Sequence, residues 1–266
     1  MADAKPITLA TLRGHKRARR RFPVVTAYDA TFARLAEEAG IEVVLVGDSV
    51  GNVCLGHRST VPVTMADMVH HTAAVARGVT RALVIADLPY MSYATPEQAF
   101  ANAAALMQAG AQVVKLEGGD WLAPTVRGLA ERGVPVCGHL GLTPQSVDKF
   151  GGYRVQGRDA ESARRLLADA EALVAAGADL LVLECVPRAL AAEITQRLPV
   201  PVIGIGAGPA TDAQVLVLYD LLGISPKIPS FARDFLAEAG TVRGALQRYA
   251  QAVREGSFPG PEHGFD

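Results

Sequence analysis

Short runs rich in valine, isoleucine and leucine recur along the chain, separated by stretches with apolar residues at helical spacing. The runs cover residues 23–27, 43–47, 82–86, 113–117, 134–138, 180–184, 201–205 and 215–218, eight in all. Near-continuous apolar runs of this length mark strands covered on both faces, as in parallel sheets. Helices are expected between them. One spans 31–40 and stops at Gly40; another runs from Thr64 to Gly78. Thr95-Pro96-Glu97 reads as an N-cap followed by proline in the first turn, and Gly110 closes that helix. Further helices are expected over 121–132, 159–176 and 187–198. The crossover 209–214 has room for one turn, a long helix is expected over 231–254, and a helix over 9–20 would plug the barrel bottom.

Eight strands alternating with helices predict an α/β fold, a (β/α)8 TIM barrel with an N-terminal helix before the first strand. A doubly wound open sheet is the competing arrangement. The 266 residues, half of them hydrophobic, suit one barrel domain over 1–266. The longest irregular segment, 140–158, has the length of a functional lid.

Charge placement changes the picture. The second run ends in Asp48-Ser49, the third in Asp87, the fourth holds Lys115 and Glu117, the fifth reaches His139 and the sixth ends in Glu184. Barrel active sites form at the C-terminal strand ends, so five successive strands deliver an ionisable group to one mouth. Side chains alternate along a strand, which puts Lys115 and Glu117 on the same face. Lysine is scarce here, five in the chain, so one inside a strand stands out. Taken singly, each group has a plain structural reading: Asp48 and Asp87 as helix caps, Lys115 and Glu117 as an ion pair, His139 as a satisfied core histidine, Glu184 as a partner for loop backbone. Their convergence on one mouth favours chemistry.

Asp48, Asp87 and Glu117 offer three carboxylates, suited to Mg²⁺ with its preference for oxygen and retained water. Zinc would favour histidine or cysteine, and only one histidine is placed here. A divalent metal on carboxylates can chelate a 2-oxo acid and stabilise its enolate. Lys115 would neutralise the substrate carboxylate and Glu184, apart from the metal set, would act as base. Gly204-Ile205-Gly206-Ala207-Gly208 lacks the spacing and following helix of a dinucleotide loop and reads instead as close backbone approach near a substrate. His70 and His71 point about 100° apart on a helix and read as surface residues.

A net charge of −1 gives no electrostatic case for nucleic acid or membrane as partner. No apolar run approaches the ~20 residues of a membrane span, and the polar start lacks a secretory core. The basic run 15–21 reads as a solvated helix face. Cys54, Cys137 and Cys185 are far apart, odd in number and without a CxxC pair, which points to reduced thiols in a cytoplasm and no zinc site.

The segments Thr26-Ala27-Tyr28-Asp29, Leu45-Val46-Gly47-Asp48-Ser49, Ala86-Asp87-Leu88-Pro89, Tyr93-Ala94-Thr95-Pro96-Glu97-Gln98-Ala99-Phe100, Val114-Lys115-Leu116-Glu117-Gly118-Gly119, Val136-Cys137-Gly138-His139-Leu140-Gly141-Leu142-Thr143-Pro144-Gln145 and Leu183-Glu184-Cys185-Val186-Pro187 resemble the ketopantoate hydroxymethyltransferase family. The resemblance runs in order from about Ile7 to the 259–263 region. It implies transfer of a one-carbon unit from 5,10-methylenetetrahydrofolate to 3-methyl-2-oxobutanoate, giving ketopantoate (2-dehydropantoate) for pantothenate synthesis. By the same resemblance Asp48 and Asp87 match Mg²⁺ ligands, and Glu117 a third acidic metal-site residue acting through water. Ser49 and Lys115 match substrate contacts, Glu184 the proton acceptor and His139 a pocket residue. The family implies a cytoplasmic homo-oligomer, often a decamer.

Two segments depart from the family pattern. Pro209-Ala210-Thr211-Asp212-Ala213 stands where Asn and then Thr-Asp-Gly are expected, and Ser225-Pro226-Lys227 replaces a longer Gly-Gly-His-like stretch. Two alternatives remain: a Mg²⁺-dependent C–C lyase or mutase of the phosphoenolpyruvate mutase/isocitrate lyase type, which would need a cysteine loop not evident here, and a non-catalytic metabolite-binding barrel, which would not need Glu184.

Overall fold

The computed structural model describes residues 5–266; the first four residues of the expected domain and of its polar start lie outside the described residues. The strands are β1 (Phe22–Thr26), β2 (Val43–Val46), β3 (Leu83–Asp87), β4 (Val113–Glu117), β5 (Val136–Gly141), β6 (Leu180–Glu184), β7 (Val202–Ile205) and β8 (Ala213–Leu216). All pair in parallel with their sequence neighbours, and β1 pairs with β8. The sheet is therefore a closed barrel, and the open-sheet alternative is excluded.

Alternation along each strand divides the apolar residues into two cores. Val24, Val43, Leu45, Leu83, Ile85, Val113, Cys137, Leu180, Val182, Ile203 and Val215 fill the barrel interior. Val25, Val44, Val46, Val84, Val114, Leu116, Leu181 and Leu183 point outward against the helices. Continuing the inward parity of β3, β4, β5 and β6 leads to Asp87, Lys115, Glu117, His139 and Glu184. The same period that builds the core thus aims the five ionisable side chains into the mouth.

Helix starts follow the capping residues. Asp29 accepts from the Thr31 and Phe32 N–H groups, Asp159 from those of Glu161 and Ser162, and Thr64 forms a reciprocal box with Asp67. The expected turn of helix over 209–214 is absent. Ala213 and Gln214 belong to β8, which starts two residues earlier than expected, and Leu218 opens a short helix, Leu218–Leu221. The long helix expected over 231–254 is two, Leu236–Ala239 and Val242–Glu255, because Gly240 turns left-handed (φ 70°) and Thr241 caps a new start. Segment 140–158 is less irregular than expected, with helical turns at Pro144–Ser146 and Val147–Phe150.

The N-terminal helix, Leu9–Arg17, closes the bottom by placing Leu12 in the interior core. The basic run is solvated only in part: Arg17, Arg19 and Arg20 are exposed, while His15 and Lys16 turn inward. His15 Nε2 lies 2.7 Å from Glu42 Oε2, Lys16 Nζ donates to Asp212 Oδ2 at 2.7 Å, Arg20 pairs with Glu42 at 3.0 Å, and Arg13 pairs with Asp179. Glu42, Asp179 and Asp212 each immediately precede a strand, so a ring of bottom carboxylates draws the basic helix across the opening.

Candidate active site

The mouth at the C-terminal strand ends opens into a cavity of about 1210 Å³. Asp48, Ser49, Asp87, Lys115, Glu117, His139 and Glu184 all line it. Strand register explains the pairs. Asp87 lies beside Lys115 and Glu117 beside His139 in the ladder. Lys115 Nζ is accordingly 3.1 Å from Asp87 Oδ1 and 3.7 Å from Glu117 Oε1, and His139 Nδ1 is 3.1 Å from both Lys115 Nζ and Glu117 Oε1. His139 Nε2 lies 3.2 Å from Glu184 Oε2, close enough for charge interaction though poorly aligned for a hydrogen bond.

Asp48 reaches the mouth by another route. β2 ends at Val46, and the chain turns so that the Asp48 N–H donates to Asp87 Oδ2 at 3.0 Å. Gly47 permits this turn, since a Cβ there would lie 2.7 Å from Ser49 Oγ. Ser49 Oγ in turn lies 2.9 Å from Tyr28 Oη.

Gln145 and Tyr93 join the site without an assigned role in the sequence reading. Gln145 donates its N–H to Glu117 Oε2 at 3.0 Å and its Nε2 to Asp48 Oδ2 at 2.8 Å. Tyr93 donates to Gln145 Oε1 at 2.5 Å. Both lie in segments matching the family motifs, but their direction toward Asp48 and Glu117 depends on two loops meeting. Gly206 and Gly208 approach Phe231 and the Arg188 Cβ, and Phe231 in turn lines the cavity. His70 is exposed, as expected. His71 is not free at the surface, because its Nδ1 lies 2.7 Å from the Tyr28 carbonyl oxygen.

The cavity carries surplus negative charge: Asp48, Asp87, Glu117, Glu184 and Asp220 share it with Lys115, Arg58, Lys227 and His139. Burial raises the Asp48 carboxyl well above its usual range, with the Glu117 and Asp87 charges adding to it. Burial also raises Asp87 against the opposing pull of Lys115. Glu117 goes the other way: burial would raise it, but His139, Lys115 and the Gln145 N–H hold it low. Burial and Lys115 would depress His139, yet Glu117 and Glu184 prevail and bring it to about 9. Burial likewise opposes the Lys115 ammonium, and Asp87, Glu117 and Asp48 keep it charged.

Among the described residues no three Asp, Glu, His or Cys side chains converge as a ready ligand set. Mg²⁺ needs fewer, since it keeps waters and takes substrate oxygens beside one or two carboxylates. Asp48 and Asp87 fit that requirement: they adjoin, their carboxyls are raised, and buried Asp87 Oδ1 has no aligned donor. Both Glu117 oxygens are already engaged, by His139 and by the Gln145 N–H, which suits a role behind the metal through water.

The profile of the family described as ketopantoate hydroxymethyltransferase matches residues 6–261. The chain belongs to the ketopantoate hydroxymethyltransferase family. It is 61% identical over 262 residues to the 3-methyl-2-oxobutanoate hydroxymethyltransferase of Erwinia tasmaniensis, covering 98% of this chain and 99% of that protein. It is 61% identical over 259 residues to the protein of the same name from Sodalis glossinidius, covering 97% and 99%. Two solved barrels share the fold. Phosphoenolpyruvate phosphomutase from Streptomyces platensis subsp. rosaceus superposes with TM-score 0.63 at 18% identity, covering 89% of each chain. Phosphonopyruvate hydrolase in complex with oxalate and Mg²⁺ gives 0.61 at 15%, covering 97% of this chain and 93% of that one. At these identities the likeness is one of fold.

No helix among the described residues is long and apolar enough to cross a membrane.

Proposed function

We propose that this family member transfers a hydroxymethyl group from 5,10-methylenetetrahydrofolate to 3-methyl-2-oxobutanoate, giving 2-dehydropantoate. The names of relatives about 60% identical over nearly their full length support the overall reaction. The observation carrying the mechanism is that Glu184 on β6 stands across the barrel from Asp48 and Asp87 at β2 and β3, in one cavity. A small 2-oxo acid held between them would have its keto end at the aspartates and its C3–H toward Glu184.

Mg²⁺, when held by Asp48 and Asp87 with Glu117 behind, would polarise the keto oxygen and make the C3 proton more acidic. Lys115, an ammonium kept charged by three carboxylates, offsets the substrate carboxylate. Ser49 and His139 line the same space and orient the acid. Glu184 takes the C3 proton, and His139 Nε2, 3.2 Å from Glu184 Oε2, keeps that carboxylate facing the mouth. Water replaces the two folate nitrogens on the methylene carbon, releasing tetrahydrofolate and leaving a one-carbon aldehyde. The electron pair left on C3 attacks that carbon, and the proton held by Glu184 ends on the new hydroxyl oxygen.

The same reading makes the protein a cytoplasmic homo-oligomer. Three unpaired cysteines and the solvent-exposed Met91 and Trp121 support it. The test is an assay with 3-methyl-2-oxobutanoate and methylenetetrahydrofolate, with and without Mg²⁺. Metal-dependent formation of 2-dehydropantoate is expected; turnover of the oxo acid without the folate, or no turnover at all, would refute the reading.

A further inference from the structure

The cavity of about 1210 Å³ exceeds the roughly 300–1,000 Å³ that serves a whole drug-sized ligand. A five-carbon oxo acid between β2 and β6 therefore leaves most of it for a second, larger molecule. Five carboxylates line the wall: Asp48, Asp87, Glu117, Glu184 and Asp220. The first four are absorbed by the metal, lysine and base roles; Asp220 has none.

Asp220 sits in the short helix Leu218–Leu221 that follows β8. That helix is fixed to the barrel, because the Leu218 N–H donates to buried Thr26 Oγ1 at 2.9 Å. The Asp220 residue is 8% exposed. Its Oδ1 accepts from Ser225 Oγ at 2.5 Å, and among the described residues this is its only side-chain hydrogen bond. Ser225 belongs to the shortened segment that departs from the family pattern. Burial raises the Asp220 carboxyl, Ser225 opposes that, and the Glu184 charge adds to it, so the two carboxylates sense each other across one chamber. The second carboxylate oxygen has no side-chain hydrogen bond among the described residues and is not sealed from the cavity that Asp220 lines, so it is open to a ligand's donors. Beside it Tyr219, Ile224, Ile228 and Phe231 present flat or apolar surface to the same cavity.

We propose that Asp220 is the residue that recognises the folate co-substrate, its carboxylate accepting from the 2-amino group and adjacent ring N–H at one edge of the pteridine. Those two parallel donors match a carboxylate as a guanidinium fork does. Ser225 holds one oxygen and sets the plane of the carboxylate; Tyr219 and Phe231 offer faces against which the ring can lie. The assignment rests on the proposed use of a folate donor.

The test measures binding as well as turnover. Calorimetric titration with tetrahydrofolate, which carries no transferable carbon, should show Asp220→Asn weakening the Kd by roughly 10- to 100-fold, the loss of a charged hydrogen bond. The KM for methylenetetrahydrofolate should rise in parallel. The KM for the oxo acid, and folate-free exchange of its C3 hydrogen with deuterated water, should stay at wild-type values. A 2-desamino analogue of tetrahydrofolate, which keeps only the ring N–H, should show a smaller difference between wild type and Asp220→Asn than tetrahydrofolate does. Ser225→Ala, which keeps the carboxylate, should cost less than Asp220→Asn. An unchanged Kd in Asp220→Asn overturns the proposal, as does an equal loss in Ser225→Ala or an equal loss of oxo-acid binding, each marking Asp220 as a loop anchor. Wild-type protein that neither binds tetrahydrofolate nor takes carbon from its methylene form overturns the donor reading, and this assignment with it.

Discussion

Lys115→Met isolates the charge balance of the mouth. The residue is 3% exposed, and its ammonium lies within 4 Å of Asp87 and Glu117. Methionine keeps similar length and volume, so the cavity contribution is small and the lost charge dominates. Two effects oppose each other. Removing a buried ammonium eliminates its own desolvation cost, while Asp87 and Glu117 both lose the cation within 4 Å of them. Breaking a buried ion cluster by removing one partner usually costs about 3–5 kcal/mol, because the remaining charge stays uncompensated. Here two buried carboxylates lose the same partner, so that cost wins. For 266 residues, each kcal/mol corresponds to roughly 2 °C. The metal-free variant should thus unfold roughly 6–10 °C below wild type at pH 8. Asp48 and Asp87, whose carboxyls are already raised, relieve the excess by taking protons, so the deficit should shrink as pH falls. Mg²⁺ should raise the melting temperature of the variant more than that of wild type. In turnover, the KM for the oxo acid should rise by roughly 10- to 100-fold through loss of the counter-charge. Thermal unfolding at the wild-type temperature in metal-free buffer, with an unaltered KM, would refute the role given to Lys115.

Glu184→Gln should retain Mg²⁺ and oxo-acid binding but lose about 10²–10⁴-fold in C3 deuterium exchange measured without folate; exchange at the wild-type rate would transfer the base role to His139. Asp87→Ala should remain folded by circular dichroism yet lose its Mg²⁺-dependent rate, and an unchanged dependence on Mg²⁺ concentration would remove Asp87 from the metal site. Away from the mouth, Glu37 accepts N–H groups of Thr80, Arg81 and Ala82 at 3.0, 2.6 and 2.7 Å. Burial opposes its ionisation, but these hydrogen bonds outweigh it and lower the folded carboxyl below its ordinary 4.5. The resulting stability is present above the unfolded value and is lost as pH falls through the folded one. Glu37→Gln should therefore cost about 1 kcal/mol at pH 7, allowing for solvent screening, and the gap to wild type should close in acid; a gap constant down to pH 3 would contradict this.

The barrel was legible because its signals are local. Eight apolar runs separated by capped helices need no distant information, and the period of two along a strand already put Lys115 and Glu117 on one face. Five of the seven site residues lie on strands at inward parity, which is why they could be named from spacing. Asp48 does not share this property. Counted along β2 it falls at outward parity, and only the turn beyond Val46 brings it to Asp87. The ends of elements were less legible. Gly240 divides one amphipathic pattern into two helices, and pairing with β7 and β1 takes Ala213 and Gln214 into β8.

By itself the sequence determined which residues are strand, which side chains share a face and which chemical groups the mouth would collect, since periodicity and residue type are written along the chain. The family resemblance added the reaction. Tertiary structure alone decided who touches whom. The stagger between neighbouring strands pairs Asp87 with Lys115 and Glu117 with His139. Loop meetings bring Gln145 and Tyr93 to Asp48 and Glu117, and place Asp220 against the same cavity. The inner side of the basic helix, Arg13, His15 and Lys16, is drawn under the barrel by three carboxylates far away in sequence. Such contacts depend on where the closed sheet puts residues far apart in the chain, and no local pattern encodes that placement.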